Sequence, residues 1–328
     1  MNYIYCESFA PIFFAEYKRS TGEDVVIITI NKNVKKYCDL TGIYCTYMER
    51  VGLNILTFYK LFIFKNNIKK IIADFKINAK DRFYILDNCV ILEGFYFTKL
   101  LRNNNATYYY ETNEYQELYK NKISLRCFYA NANNLFYKLF LGLDLVLIEP
   151  NRTPDIGIDK NKFFKKNNIA ISPEKKFFNE IRFDIIKEKT INLAKYETMF
   201  IDQGTGNNFL KRNRLDDILN VFSKSNHRIV IKEHPRFQNT NLFVEYDKFP
   251  VFIPAELLFG NISKNVISLC SNTLISASKI DRLSSISILE LFEWKDESYK
   301  KELKEYLKKE SDNRIIFVQT IEELIQFL

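Results

Sequence analysis

Histidine occurs only twice among the 328 residues, tryptophan once, glycine nine times and proline seven times. So little glycine and proline excludes a collagen-like or low-complexity chain. Two histidines are too few for a histidine-rich metal site. The six cysteines, at positions 6, 38, 45, 89, 127 and 270, contain no C-x-x-C and keep no regular spacing. Some stand in apolar runs, where a small buried thiol in a reducing compartment is the expectation. No apolar run approaches the roughly 18 residues that cross a membrane. The start, MNYIYCESFAPIFF, has no basic segment ahead of an apolar one, so no secretory leader is expected and the reading is cytoplasmic. The sequence also lacks G-x-x-x-x-G-K-[ST], G-x-G-x-x-G after a strand, G-x-S-x-G and D-x-D. Those absences argue against a P-loop, a dinucleotide fold, a nucleophile-elbow hydrolase and a metal–nucleotide site of the D-x-D kind.

What is present is apolar and aromatic. Hydrophobic residues make up 47% of the chain, with 29 Phe and 20 Tyr, enough for two cores in a chain of this length. The formal charge of +8 favours anionic partners. Strand-like runs at 25–30, 83–86, 107–110 and 143–148 alternate with helical spacing at 53–75, 90–101 and 134–141. The pattern loosens between 149 and 195, where Pro, Asn and Lys cluster, and a helical run follows through 177–194. A second series then begins, with strands at 198–201, 228–232, 251–253, 265–269 and 315–318 and a helix at 215–222. The expectation is α/β: two Rossmann-type domains, 1–185 and 186–328, facing a central cleft.

In such sheets, ligand-facing groups stand at the carboxyl ends of strands. IVIKEHPRF places Lys232, His234, Pro235 and Arg236 at one such end, with Pro235 stopping the strand. YETMFIDQGTGNN places Asp202 and Gly204 at another, one βα unit earlier. A carboxylate near a histidine suits acid and base work, although Asp202 would serve equally to cap a helix. LCSNTLI sets Ser271, Asn272 and Thr273 between a strand and a helix, either as an anion site or as an ordinary cap. Glu256 is the single charge within VFIPAELLF. His227, in KSNHR, reads as a turn residue.

The order of these groups along one domain resembles bacterial sialyltransferases, most closely the lipooligosaccharide sialyltransferases of glycosyltransferase family 52, with the polysialyltransferases as related families. The resemblance is specific over residues 199–275 and general in the N-terminal half, at FYKLFLGLDLVLIEP. It implies a GT-B fold, a CMP-activated sialic acid or related nonulosonate as donor, a cell-surface glycan such as lipooligosaccharide or capsule as acceptor, inversion at the anomeric carbon, and neither metal nor cofactor. By that resemblance His234 protonates or stabilises the departing phosphate, and Asp202 is the base. Glu256 holds the ribose, while Ser271 and Thr273 hold the phosphate. The family's acidic motif is [D/E]-[D/E]-G, and Gln203 replaces its second acid here. Related families carry the motif in the N-terminal domain, where YYYETNEY makes Glu111 a rival base and Glu114 a weaker one. A homodimer fits the family.

Two alternatives stay open. One is a GT-B transferase with another nucleotide-sugar donor. The other is a non-catalytic protein that binds nucleic acid or a membrane surface. The run WKDESYKKELKEYLKKESDNR is the best support for the second, but its alternating signs read as a solvated helix, so no nucleic-acid partner is expected. Peripheral contact with the inner membrane is compatible with a lipid-linked glycan acceptor.

Overall fold

The computed structural model describes residues 1–78, 80–86, 92–101, 105–109, 125–143, 166, 170–172, 185, 191–203, 210–212, 214–234 and 242–328. The chain divides into two compact units, Met1–Arg182 and Phe183–Leu328. The strand expected at 143–148, most of the connection at 149–195 and the helical run at 177–194 lie outside the described residues, apart from residue 143, residue 185 and the end of that stretch.

The first unit is a parallel sheet wound by helices. In chain order it runs β1 (Asn2–Cys6), α1 (Ala10–Ser20), β2 (Val25–Thr29), α2 (Lys32–Thr41) and β3 (Tyr44–Tyr47). A 3-10 turn (Ile55–Lys60), α3 (Leu61–Asp74), β4 (Arg82–Leu86), α4 (Leu92–Leu100), β5 (Asn105–Tyr109), α5 (Leu125–Leu141) and β6 (Ala170–Ser172) follow. The sheet order is β3-β2-β1-β4-β5-β6, with every pairing parallel. No element was expected over residues 1–20, yet β1 is central and buried along its whole length. Its alternating Tyr3 and Tyr5 pack with Phe83, Phe97 and Ile85 in one core. Asn31 caps α2 by accepting from the Asn33 N–H at 2.9 Å, and Gly42 ends the helix at φ +68°, a conformation that costs glycine no Cβ clash.

The second unit repeats the plan. Its elements are β7 (Tyr196–Ile201), β8 (Leu210–Arg212), α6 (Leu215–Lys224), β9 (Ile229–Lys232), β10 (Asp247–Lys248) and a 3-10 turn (Ala255–Asn261). β11 (Ile262–Ser268), α7 (Asn272–Ser278), β12 (Ser284–Ser287), β13 (Glu293–Trp294), α8 (Glu297–Glu310), β14 (Ile316–Phe317) and α9 (Ile321–Ile325) complete it. The main sheet runs β10-β9-β7-β11-β12-β14, all parallel, while β8 and β13 form a separate antiparallel pair. Residues 251–253 are a turn and not the expected strand. Pro250 and Pro254 bracket them, and the Ile253 N–H closes back on the Pro250 carbonyl at 3.2 Å. The edge strand lies just before, at β10.

β12 reads SSIS, and Ser285 and Ser287 are buried because their hydroxyls donate to the Leu274 and Leu269 carbonyls, each at 2.7 Å. α8 is the helix expected from the lysine-rich run. Asp296 caps it, and Lys300 and Lys304 both reach Glu290, at 2.7 and 2.6 Å. Among the described residues no helix is long and apolar enough to cross a membrane.

Phe200, on the central strand β7, anchors the core of this unit. Its ring meets Phe222 of α6 at 5.3 Å and Phe243 at 6.1 Å, and all three are buried. Phe200→Ala should cost about 3–5 kcal/mol of stability. Urea unfolding followed by fluorescence of Trp294, the chain's single tryptophan, reads this unit directly.

Candidate active site

A parallel sheet sends all its carboxyl ends to one edge, so chain order decides which loops meet there. In the second unit the chain moves outward from β7 to β9 and β10, then returns to the other side of β7 at β11. The reversal falls between β7 and β11, and a crevice for ligand opens at such a switch point. Asp202 and Gln203 leave β7 there, Glu233 and His234 leave β9, and Cys270 to Thr273 leave β11. Glu256, in the 3-10 turn before β11, joins them by accepting from the Thr273 hydroxyl at 3.4 Å.

The register ranks these residues. Ile201 pairs with Lys232, and the Asp202 N–H donates to the Lys232 carbonyl at 3.0 Å. Asp202 and Glu233 are the first residues past this last pair on their strands, and Gln203 and His234 follow them. On the other side the Gln203 Oε1 accepts from the Cys270 N–H at 2.9 Å and from its thiol at 3.0 Å. Burial pushes that thiol up to about 12, so it stays protonated and donates. The Ser268 hydroxyl, donating to the Ile201 carbonyl at 2.9 Å, ties the same two strands one turn of the ladder deeper. The residue that departs from the acidic motif is thus the one that bridges the switch point.

Asp202 is fully buried, whereas His234 is half-exposed at the edge. Lys232, expected to face the ligand, turns inward instead: it is 4% exposed and its Nζ donates to the Glu233 and Val251 carbonyls, each at 3.2 Å. Desolvation lowers its pKa to about 8, opposed by the charges of Glu256 and Glu233. Glu233 is itself buried and pairs with Lys248 at 3.2 Å. Holding a lysine charged in this surrounding costs roughly 3 kcal/mol at neutral pH. A buried charge kept against such a cost is a mark of a functional site.

Ser271 caps α7, its hydroxyl oxygen accepting from the Thr273 N–H at 3.2 Å, so the capping role is realised. Thr273 is buried and Asn272 exposed. Glu111, Glu114, Gly204, Pro235 and Arg236 lie outside the described residues. His227 sits at the opposite edge of the sheet, ahead of β9. Its Nε2 faces the Lys264 ammonium at 3.1 Å and its Nδ1 the Thr198 hydroxyl at 3.2 Å. No group of three or more His, Cys, Asp or Glu residues disposed to hold a metal occurs among the described residues.

The first unit has the same strand order, with its own reversal between β1 and β4. Glu93, the second residue of α4 after β4, is 4% exposed there. Burial pushes its carboxyl above the usual range, against the pull of its own backbone N–H and of Arg50. The sequence carried the signal, a lone acid within VILEGFYF, the same pattern that singles out Glu256.

The sequence matches no family model and no curated protein. Among solved structures, the chain is similar to a glycosyltransferase from Rickettsia africae ESF-5 at 12% identity, over 99% of this chain and 92% of that one, with a TM-score of 0.37. It is similar to the glycotransferase of kitacinnamycin at 8% identity, over 99% and 89%, with a TM-score of 0.44. For the wall teichoic acid polymerase TagF, in its H444N form soaked with CDPG, the values are 10%, 88% and 69%, and 0.39. Likenesses this distant transfer no residue roles.

Two pH-dependent outcomes follow from the buried charges. Lys232 has a folded pKa of about 8, below its unfolded 10.5, so its stabilising contribution is present above 10.5 and lost as pH falls through 8. The stability of wild type relative to Lys232→Met should therefore rise between pH 7.5 and 9.5, read as urea midpoints by Trp294 fluorescence. Glu93 has the opposite sign. Its raised folded pKa gives stability present below the unfolded carboxylate value of 4.5 and lost as pH rises through the folded one. Glu93→Gln should raise the melting temperature at pH 7.5 and lose that advantage near pH 4.

Proposed function

We propose that the protein is a glycosyltransferase that moves sialic acid, or a related nonulosonate, from a CMP-activated donor to a cell-surface glycan. One observation carries the reading: Asp202, His234, Glu256 and the Ser271–Thr273 pair, scattered over 72 positions of sequence, meet at one switch-point edge of a parallel sheet. That is where such a sheet binds nucleotides. The order of the groups is the order that resembles the family 52 sialyltransferases.

In the proposed reaction the acceptor hydroxyl oxygen attacks the anomeric carbon and the bond to the CMP phosphate oxygen breaks, inverting the centre. His234, as imidazolium, donates a proton or hydrogen bond to the departing phosphate, which lowers the charge developing on that oxygen. The half-exposed position of His234 suits contact with a donor. Asp202 or Glu111 takes the acceptor proton. Glu256, already bonded to Thr273, holds the ribose hydroxyls. With no D-x-D in the sequence and only two histidines, the reaction is proposed to run without metal.

A GT-B transferase with another nucleotide donor is the reading to test against. CMP should raise the melting temperature and UDP should not. CMP-sialic acid should be consumed with a lactose-type acceptor in the presence of EDTA. His234→Ala should lower transfer about 10²–10⁴-fold without lowering the melting temperature. Protection by UDP alone, or transfer at wild-type rate by folded His234→Ala, overturns the proposal.

A further inference from the structure

Most large apolar side chains that stand exposed among the described residues fall in two neighbouring stretches of the first unit. Leu56 is 74% exposed, Phe58 65% and Phe62 73%, in the 3-10 turn and the start of α3. Phe128 is 70% exposed, Leu135 58% and Leu139 69%, along α5. These are not core residues left uncovered. The inner face of α3 already packs Phe64, Ile68 and Ile71 into the core, and α5 packs Phe136, Tyr137 and Leu141 there. The outward apolar residues are therefore additional to the fold.

The two stretches form one preformed surface. The Asn133 Oδ1 of α5 accepts from the Ile55 N–H at 2.9 Å, and the Tyr137 hydroxyl donates to the Leu53 carbonyl at 2.7 Å. Both bonds tie α5 to the segment that leads into α3. A contiguous exposed apolar patch of this kind marks an interaction site.

Charge identifies the occupant. Along α3 the exposed positions run from Phe62 and Ile63 to Lys69 and Lys70, so an apolar end passes into a basic one within roughly two helical turns. Lys60 adds a cation over the Tyr59 ring at 5.8 Å, and Lys138 stands exposed on α5. From residue 55 to the end of α3 the only acid is the exposed Asp74, against Lys60, Lys65, Lys69 and Lys70, and none occurs from 125 to 141. Aromatic and aliphatic residues beside lysines that outnumber the single acid match the apolar and anionic layers of a lipid headgroup boundary. A two-fold pairing of this face with itself would instead set like charges against each other.

We infer that this face of the first unit, centred on the start of α3 and on α5, docks on an anionic lipid bilayer. The inference stands independently of the transferase reading. Flotation with vesicles of phosphatidylcholine and phosphatidylglycerol, about 7:3, tests it against pure phosphatidylcholine. Wild type should float with the anionic vesicles and lose about tenfold in partitioning when salt rises from about 0.1 to about 0.5 M. The exposed double substitution Phe62→Glu/Leu139→Glu should abolish flotation, and Lys69→Glu/Lys70→Glu should weaken it about tenfold, each at unchanged melting temperature. No flotation of folded wild type, or equal flotation of the variants, overturns the inference. So does a dimer in sedimentation that Phe62→Glu disperses while no form binds vesicles, since the face is then an interface between copies.

Discussion

The constraint on which the second unit depends is the crossing of its chain over β7. Because all strands of the main sheet are parallel, every connection must return over a face of the sheet, and every carboxyl end meets at one edge. The reversal between β7 and β11 leaves a gap in that edge, which Gln203 closes by accepting two hydrogen bonds from Cys270. Ser268 fixes the same strand pair below it. The placement of His234 on one side and Thr273 on the other follows from this pinned centre. The side-chain oxygen of the partly buried Gln203 suits the bridge because it accepts from both the Cys270 N–H and the Cys270 thiol.

The polar residues near that edge are expensive to bury and are satisfied one by one. Lys232 leans on two backbone carbonyls, Glu233 on Lys248, and Glu256 on Thr273. The serines of β12 do the same for a strand with little apolar side-chain area, since each hydroxyl closes on a carbonyl next to β11 or α7. Lys232 is set apart by desolvation that lowers its pKa to about 8 against the pull of Glu256 and Glu233.

Much of the alternation of strands and helices was legible in the sequence, since buried parallel strands such as VVIITI and IVIK are apolar without interruption. β1 and β12 were not. The first opens the chain with tyrosines and an asparagine, and the second is three-quarters serine, so both bury polar groups whose partners are distant in sequence. The segment 251–253 erred the other way. Its apolar VFI looks like a strand, but the flanking prolines withhold the N–H groups a ladder needs.

The sequence by itself determined the α/β class, the positions of His234 and Asp202 relative to strand ends, and the cationic character of the chain. These depend on local pattern, where period and turn chemistry suffice. Tertiary structure alone decided that Gln203 bridges to Cys270, that the Lys232 ammonium points inward, and that Glu93 is buried at the other reversal. Register, burial and hydrogen-bond partners are properties of strands paired across long separations. No local pattern carries the information that β7 lies between β9 and β11.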